Sequence, residues 1–160
     1  SGGFTRLVEN LNYSADSLVP TFGKHRITAQ QAAALGRTAT QSANQRAIAN
    51  LVYGGEWGKR NLGNQVACDG WKYRGRGLKQ ITGLSNYRKC GLALKRDLVT
   101  QPELLEQDEN AARSAAWFFA TSGCLVYSGD VERITIIING GKNGLDDRRR
   151  RFNLAKAVLV

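Results

Sequence analysis

The densest run of chemically useful side chains is Asp69-Gly-Trp-Lys-Tyr-Arg-Gly-Arg-Gly-Leu-Lys-Gln-Ile-Thr-Gly-Leu-Ser-Asn-Tyr87. Glycines let a backbone approach a ligand closely, Trp71, Tyr73 and Tyr87 offer flat faces, and Arg, Gln, Thr and Asn supply donors in fixed directions. Flat apolar faces with neutral hydrogen-bonders suit a sugar, whose rings have apolar faces and hydroxyl rims. Basic residues interleaved with aromatics equally suit single-stranded nucleic acid. Gly75-Arg-Gly77 lacks the third glycine and the Lys-Ser/Thr pair of a phosphate loop, so nucleotide binding is not expected.

Hydrolysis of a sugar bond needs two carboxyl groups, one to protonate the leaving oxygen and one to activate water or attack. Glu103, Glu106, Asp108 and Glu109 form an acidic run expected to face solvent. Asp16 and Asp130 read as helix caps, and Asp146 and Asp147 suit the dipole at the start of the last helix. Two acids remain. Glu9 lies in a mixed apolar segment, and Glu56, in Tyr53-Gly-Gly-Glu-Trp-Gly58, is expected on a glycine-rich loop. The single histidine, His25, sits between Lys24 and Arg26 in what reads as a solvated loop, so Ser-His-Asp or Cys-His chemistry is not expected. Cys68, Cys90 and Cys124 are odd in number and lack CxxC spacing. That excludes a full disulfide framework, argues against zinc and fits a reducing compartment. No metal or cofactor is implied.

The elements that must hold these groups are mostly helical. Thr28 can cap a helix over Ala29–Leu35 that Gly36 ends, and Gln41–Tyr53 is an Ala-rich helical stretch stopped by Gly54-Gly55. Ser85 precedes a short helical pattern ending near Gly91, and Pro102 to Glu106 reads as a helix start. Ala111–Thr121, with Trp117, Phe118 and Phe119, is apolar on most faces and is the expected buried central helix. Val131–Ile138 scores as strand by its β-branched run. Asp130 before it and Gly140-Gly141 after it favour a capped buried helix instead. Asp146–Val160 closes the chain as a basic helix. Glycine-rich Gly54–Gly83 shows no helical period and is expected to be a binding surface or a small sheet.

The chain has 160 residues, 42% of them hydrophobic, which predicts one domain, 1–160, with enough apolar content for a core. A formal net charge of +10 favours a polyanionic partner: nucleic acid, anionic lipid or an acidic cell-wall polymer.

Four motifs, in order along the chain, carry a resemblance. They are Ser1-Gly-Gly-Phe4 with Glu9-Asn-Leu-Asn-Tyr13; Tyr73-Arg-Gly-Arg-Gly77; Gln80-Ile-Thr82 with Asn86-Tyr87; and Ile138-Asn-Gly-Gly141 with Asp147-Arg148. Together they resemble the phage-type endolysins of glycoside hydrolase family 19, the chitinase-like lysozymes. The resemblance implies a mainly α, lysozyme-like fold with a small sheet-like, glycine-rich region beside a cleft. It implies inverting hydrolysis of a β-1,4 bond between amino sugars, without metal or cofactor. Glu9 matches the family's general base, and Thr82 a hydroxyl residue that helps hold the attacking water. Gln80, Asn86 and Asn139 match sugar-binding amides. Arg148 matches an arginine near the acid, and Tyr73 and Arg74 border the same cleft motif.

The family's general acid stands in a His-Glu-[Ser/Thr]-Gly-Gly motif, and its glutamate would fall immediately before Ser1. An upstream helical segment carrying it is therefore expected. Nine residues of unbroken helix would put the two carboxyls about 13 Å apart along the axis, beyond the ~6.5–9.5 Å of inverting pairs. A bend is expected at Gly2-Gly3. Glu56 is the tentative substitute acid.

The resemblance implies peptidoglycan glycan strands as substrate, with chitin hydrolysis or an inactive carbohydrate-binding relative as the alternatives. The absence of a chitin-binding module and of a cysteine framework tilts the expectation toward peptidoglycan, and the basic charge does the same. The expected setting is a monomer made in the host bacterial cytoplasm, reaching the wall after another protein permeabilises the membrane. With Arg148 turned to the site, Arg149–Arg151 in the last helix could touch anionic polymer or envelope lipid. Specific nucleic-acid binding is not expected on this reading.

Overall fold

A computed structural model describes residues 6–159 of the chain. The bend expected at Gly2-Gly3 lies outside the described residues. The molecule is mainly helical, as the sequence predicts. The helices are α1 (Ala15–Phe22), α2 (Ala29–Leu35), α3 (Gln45–Val52), α4 (Gly55–Leu62), α5 (Asp69–Lys72), α6 (Leu84–Leu94), α7 (Asp108–Thr121), α8 (Val131–Asn139) and α9 (Leu145–Leu159). Pro102–Glu106 and Cys124–Tyr127 are 3₁₀ turns, so the helix expected to grow from Pro102 stops after five residues. In place of a small sheet, the described residues form isolated bridges: Val8 with Arg76, Arg76 with Ile81, and Ser14 with Arg37.

The chain divides into two compact units, Ser1–Ala115 and Ala116–Val160. In the first, Leu11, Leu18, Phe22, Ile27, Ala32, Ile48, Ala49 and Val52 form one buried cluster, against which Tyr13, Tyr53 and Trp71 pack. Each fully buried aliphatic side chain there contributes about 1.5–3 kcal/mol relative to exposure. This cluster locks α1, α2 and α3 together and fixes the two segments that carry Glu9 and Tyr53.

Local signals account for several boundaries. Thr28 and Gln31 form the reciprocal capping box of α2, the Thr28 hydroxyl accepting from Gln31 N–H (3.2 Å) and the Gln31 amide oxygen from Thr28 N–H (2.9 Å). The stretch from Gln41 is a correction, since its helix begins only at Gln45, where the Asn44 side chain caps it by accepting from Ala47 N–H. Gln41 instead donates through Nε2 to the carbonyls of Ala34 and Gly36, satisfying the orphan C-terminal end of α2. Glycine-rich Gly54–Gly83 is likewise not free of helix, because α4 and α5 lie in it. Close approach requires Gly58 and Gly70: a Cβ would stand 1.9 Å from the Tyr53 carbonyl oxygen and 2.3 Å from that of Ala49, respectively. The helix expected from Ser85 to Gly91 extends to Leu94 and ends on Lys95 in the left-handed region.

Helix α7 is not the buried central rod its composition suggests. Ala111 and Ser114 are buried, Trp117, Phe118 and Phe119 only half-buried, and Arg113 exposed.

In the second unit the β-branched run Val131–Ile138 is helical. Asp130 caps it by accepting from Arg133 N–H (2.9 Å), and Gly140 ends it at φ 70°. Thr135 is its fully buried residue, and the flanking isoleucines are half-buried. Arg149 meets Glu132, while Arg150 and Arg151 meet Asp147 at 2.8 and 2.7 Å. The cationic run thus spends its charge inside this unit. No helix among the described residues is long and apolar enough to cross a membrane.

Candidate active site

Glu9 follows Val8, whose bridge to Arg76 lays this segment antiparallel against residues 75–77. The Glu9 N–H donates to Gly75 O (2.8 Å), and the Gly75 N–H returns a bond to Glu9 Oε2 (3.1 Å). Tyr53, the residue that closes α3, donates its hydroxyl to Glu9 Oε1 at 2.5 Å. Both carboxylate oxygens are therefore held, each by a neutral donor from a different part of the chain.

Tyr53 is itself well fixed. Its ring meets Phe22 edge-on at 6.1 Å, and its carbonyl accepts from Asn64 Nδ2 (2.8 Å). Asn64 is buried, and its Oδ1 accepts from Leu84 N–H at the start of α6. Burial first, then the Glu9 charge and hydrogen bond, push the Tyr53 hydroxyl far above its ordinary value, so it stays protonated and remains a donor. Burial and the Glu9 charge raise Tyr13 in the same sense. Arg26, stacked 4.0 Å from the Trp57 ring, is lowered by burial against the pull of Tyr53 and Glu9.

The loop from Gly77 to Gly83 places the remaining predicted residues. Gln80 has φ 59°, a left-handed conformation that costs a non-glycine residue roughly 1–2 kcal/mol. Two bonds to Gly77 O, from Gln80 N (3.1 Å) and Nε2 (2.9 Å), hold it there. The strain puts the Gln80 amide beside Glu9: a Cβ on Gly75 would stand 2.9 Å from Gln80 Oε1 and 3.3 Å from Glu9 Oε2. Thr82 Oγ1 donates to Gln80 O (2.9 Å), and exposed Asn86 donates through Nδ2 to Thr82 O (2.8 Å). Gln80, Thr82 and Asn86 therefore form one hydrogen-bonded series.

Other predicted residues do different work. Tyr73 is a correction: it is buried, tilted against Tyr87 at 5.3 Å, with its hydroxyl donated to Val99 O (3.1 Å), and so it offers no face to a sugar. Arg74 lies flat on Trp71 at 3.8 Å and donates to Trp71 O, with its Nε buried and unpartnered. Burial and then the charge of Arg76 lower its pKa. Glu56 is exposed in the first turn of α4, on a helix rather than a loop. Asn139 Nδ2 and Arg148 Nη1 both donate to Asn143 O, at 3.1 and 2.7 Å, within the second unit.

Sequence reasoning missed two groups. Tyr53 stands 44 residues from Glu9 in sequence and carries no local mark of its role. Glu106, expected to face solvent, accepts from buried Arg76 Nε at 2.7 Å. The Arg76 Nη1 donates to Lys72 O (2.7 Å) and Tyr87 Oη (3.0 Å), and the Tyr87 hydroxyl donates to Arg74 O (2.7 Å). Burial pushes Tyr87 up to about 12 against the pull of Arg76. The described residues hold no group of three or more His, Cys, Asp or Glu placed to bind a metal ion.

Comparison with known proteins gives the family. Over 164 residues the chain is 39% identical to a glycosyl hydrolase family 19 domain-containing protein of Haemophilus influenzae, covering all of this chain and 73% of that protein. The chain belongs to glycoside hydrolase family 19. A family model described as chitinase class I matches residues 54–128, the stretch that holds Gln80, Thr82 and Asn86. An acidic endochitinase of Petunia hybrida is 35% identical over 56% of this chain and 35% of its own length. Chitinase 8 of rice is 45% identical over 31% of this chain and 20% of its own. The chain thus spans about a third or less of these plant proteins. The domain is a chitinase-like glycoside hydrolase, and the hydrogen-bonded Glu9 carboxylate lies well upstream of the family-model match.

Proposed function

We propose that this family 19 domain is the catalytic part of an endolysin-type enzyme that cleaves β-1,4 bonds between the amino sugars of peptidoglycan, with Glu9 as general base. The observation that carries the reading is the Glu9 carboxylate, ionisable, held at both oxygens by neutral donors and placed beside the Gln80 amide. In the inverting reaction Glu9 takes a proton from water as the water oxygen bonds to the anomeric carbon. The bond from that carbon to the bridging oxygen breaks, and a carboxylic acid returns a proton to the leaving oxygen. Thr82 assists the water, and Gln80 and Asn86 hold the sugar chain.

A net charge of +10 supports an anionic wall polymer over neutral chitin. The endochitinase names of the plant relatives favour chitin as the second reading. Mass spectrometry of digests separates them: muropeptides with new N-acetylmuramic acid or N-acetylglucosamine reducing ends are expected from cell walls. Chitin oligosaccharides cleaved with intact walls left untouched would overturn the peptidoglycan assignment. On this reading the enzyme works as a monomer and reaches the wall from the bacterial cytoplasm through a membrane lesion.

A further inference from the structure

We propose that Tyr53 is a positioning residue for Glu9: its hydroxyl and the Gly75 N–H form a two-point clamp that orients the carboxylate for water activation. The inference rests on the reading of Glu9 as the general base.

The argument is geometric. A general base must keep one lone pair aimed at the reacting water, yet a glutamate side chain with free torsions samples many orientations. Here each oxygen has its own tether, Oε1 to Tyr53 at 2.5 Å and Oε2 to Gly75 at 3.1 Å. The tethers come from independent parts of the first unit, the end of α3 and the segment after α5. Carboxylate rotation would break at least one of them. Each oxygen has a second lone pair, so the clamp leaves acceptor capacity for water.

The clamp is also neutral. A cation in contact would fix the carboxylate equally well but would stabilise its charge so strongly that it became a poor proton acceptor. The charged and titratable groups that act on Glu9 are Tyr53 and Tyr13, with Arg26 between α1 and α2 and Arg74 after α5. Arg26 donates to Phe22 O and Arg74 to Trp71 O, so the hydrogen bonds made by these two guanidiniums go to backbone carbonyls. Buried Asn64 and the close approach of Gly58 hold the Tyr53 carbonyl, so the hydroxyl is aimed by the fold and not by Glu9 alone.

The test is Tyr53→Phe in the full-length protein, beside Glu9→Gln, with kcat and KM on peptidoglycan and on chitin oligosaccharides. Phenylalanine keeps the ring packing against Phe22, so thermal stability stays close to wild type. The expected result is kcat lower by about 10- to 100-fold, as loss of one hydrogen bond to a charged group implies. KM stays unchanged. Carbon-13 NMR of the Glu9 carboxyl reads the same clamp without turnover, and its chemical shift at a fixed neutral pH changes in Tyr53→Phe.

Wild-type kcat in Tyr53→Phe, with Glu9→Gln inactive, overturns the clamp alone. So does a change confined to KM, or an unmoved Glu9 carboxyl signal. Full activity in Glu9→Gln overturns the base assignment beneath it.

Discussion

Gly75 and Arg76 are neighbours in the chain, and each holds a carboxylate in an opposite way. Gly75 offers a backbone N–H to Glu9, which has Tyr53 as its other partner, so the charge of Glu9 meets only neutral donors. Arg76 places a guanidinium against Glu106 and is itself 5% exposed, so that carboxylate is neutralised by a full opposite charge. A carboxylate kept for proton transfer needs orientation without neutralisation, whereas one kept for structure gains from both. Partner type, more than burial, separates the two carboxylates.

The sharpest way to break this comparison is to remove each charge in turn. Glu9→Gln keeps shape and one acceptor, and kcat is expected to fall by about 10²–10⁴, the usual worth of a general acid or base. Binding of a sugar oligomer, measured by calorimetry, stays near wild type. Glu106→Gln is expected to leave kcat within a few-fold of wild type and to lower the melting temperature instead. Equal losses of kcat from both changes would mean that the two carboxylates are not divided in this way.

The second comparison concerns stability. Arg76→Met removes the donor to Glu106, Lys72 O and the Tyr87 hydroxyl together. Removing one member of a buried pair strands its partners, and about 3 kcal/mol of unfolding free energy is expected to be lost in urea titration. Glu106 is more than a third exposed, which keeps the figure at the low end of what a fully buried pair would show. Adding Glu106→Leu is expected to restore part of the loss, because the uncompensated charge goes with it. Tyr53→Phe should by contrast cost little stability, since its ring remains in the core.

How far the chain could be read in advance follows the same division between local and distant causes. The α2 cap was legible because Thr28 and Gln31 are three residues apart and need nothing else. Asp130 and Gly140 outvoted the β propensity of the run between them for the same reason. The start of α3 was not legible, because Gln41 leaves the helical pattern to serve carbonyls of α2. Helix α4 was hidden by its glycines, which lower propensity, whereas Gly58 is required by contact with the Tyr53 carbonyl. Glu9, Gln80, Thr82 and Asn86 could be named as candidates by residue type and motif, and the structure joins the last three through hydrogen bonds of one loop. Tyr53 and Glu106 could not be so named, since each acquires its role from a partner 44 and 30 residues away. Tyr73 was misassigned because an aromatic beside glycines suits a sugar platform and a core residue equally well.

The smallest effect concerns a third carboxylate. Glu132, in the second unit, is partly exposed and held by two cations, Lys142 at 2.6 Å and Arg149 at 2.5 Å. The Lys142 hydrogen bond first, then its charge and that of Arg149, hold the Glu132 carboxyl below its ordinary value of 4.5. Hydrogen bonds from Arg151 and Arg150 likewise hold Asp147 below 3.8. A carboxyl depressed in the folded state stabilises the fold at all pH above its unfolded value, and that contribution fades as pH falls through the folded one. Wild type is therefore expected to melt slightly higher than Glu132→Gln near neutrality, with the gap closing below the ordinary carboxylate range. Because the pair is solvated, added salt should close the same gap at neutral pH. Neither acid nor salt should reduce the larger loss from Arg76→Met to nothing, since Arg76 also serves a backbone carbonyl and a tyrosine that do not titrate in that range. Thermal melts of the two variants across pH and salt thus separate a solvated ion pair from a buried one.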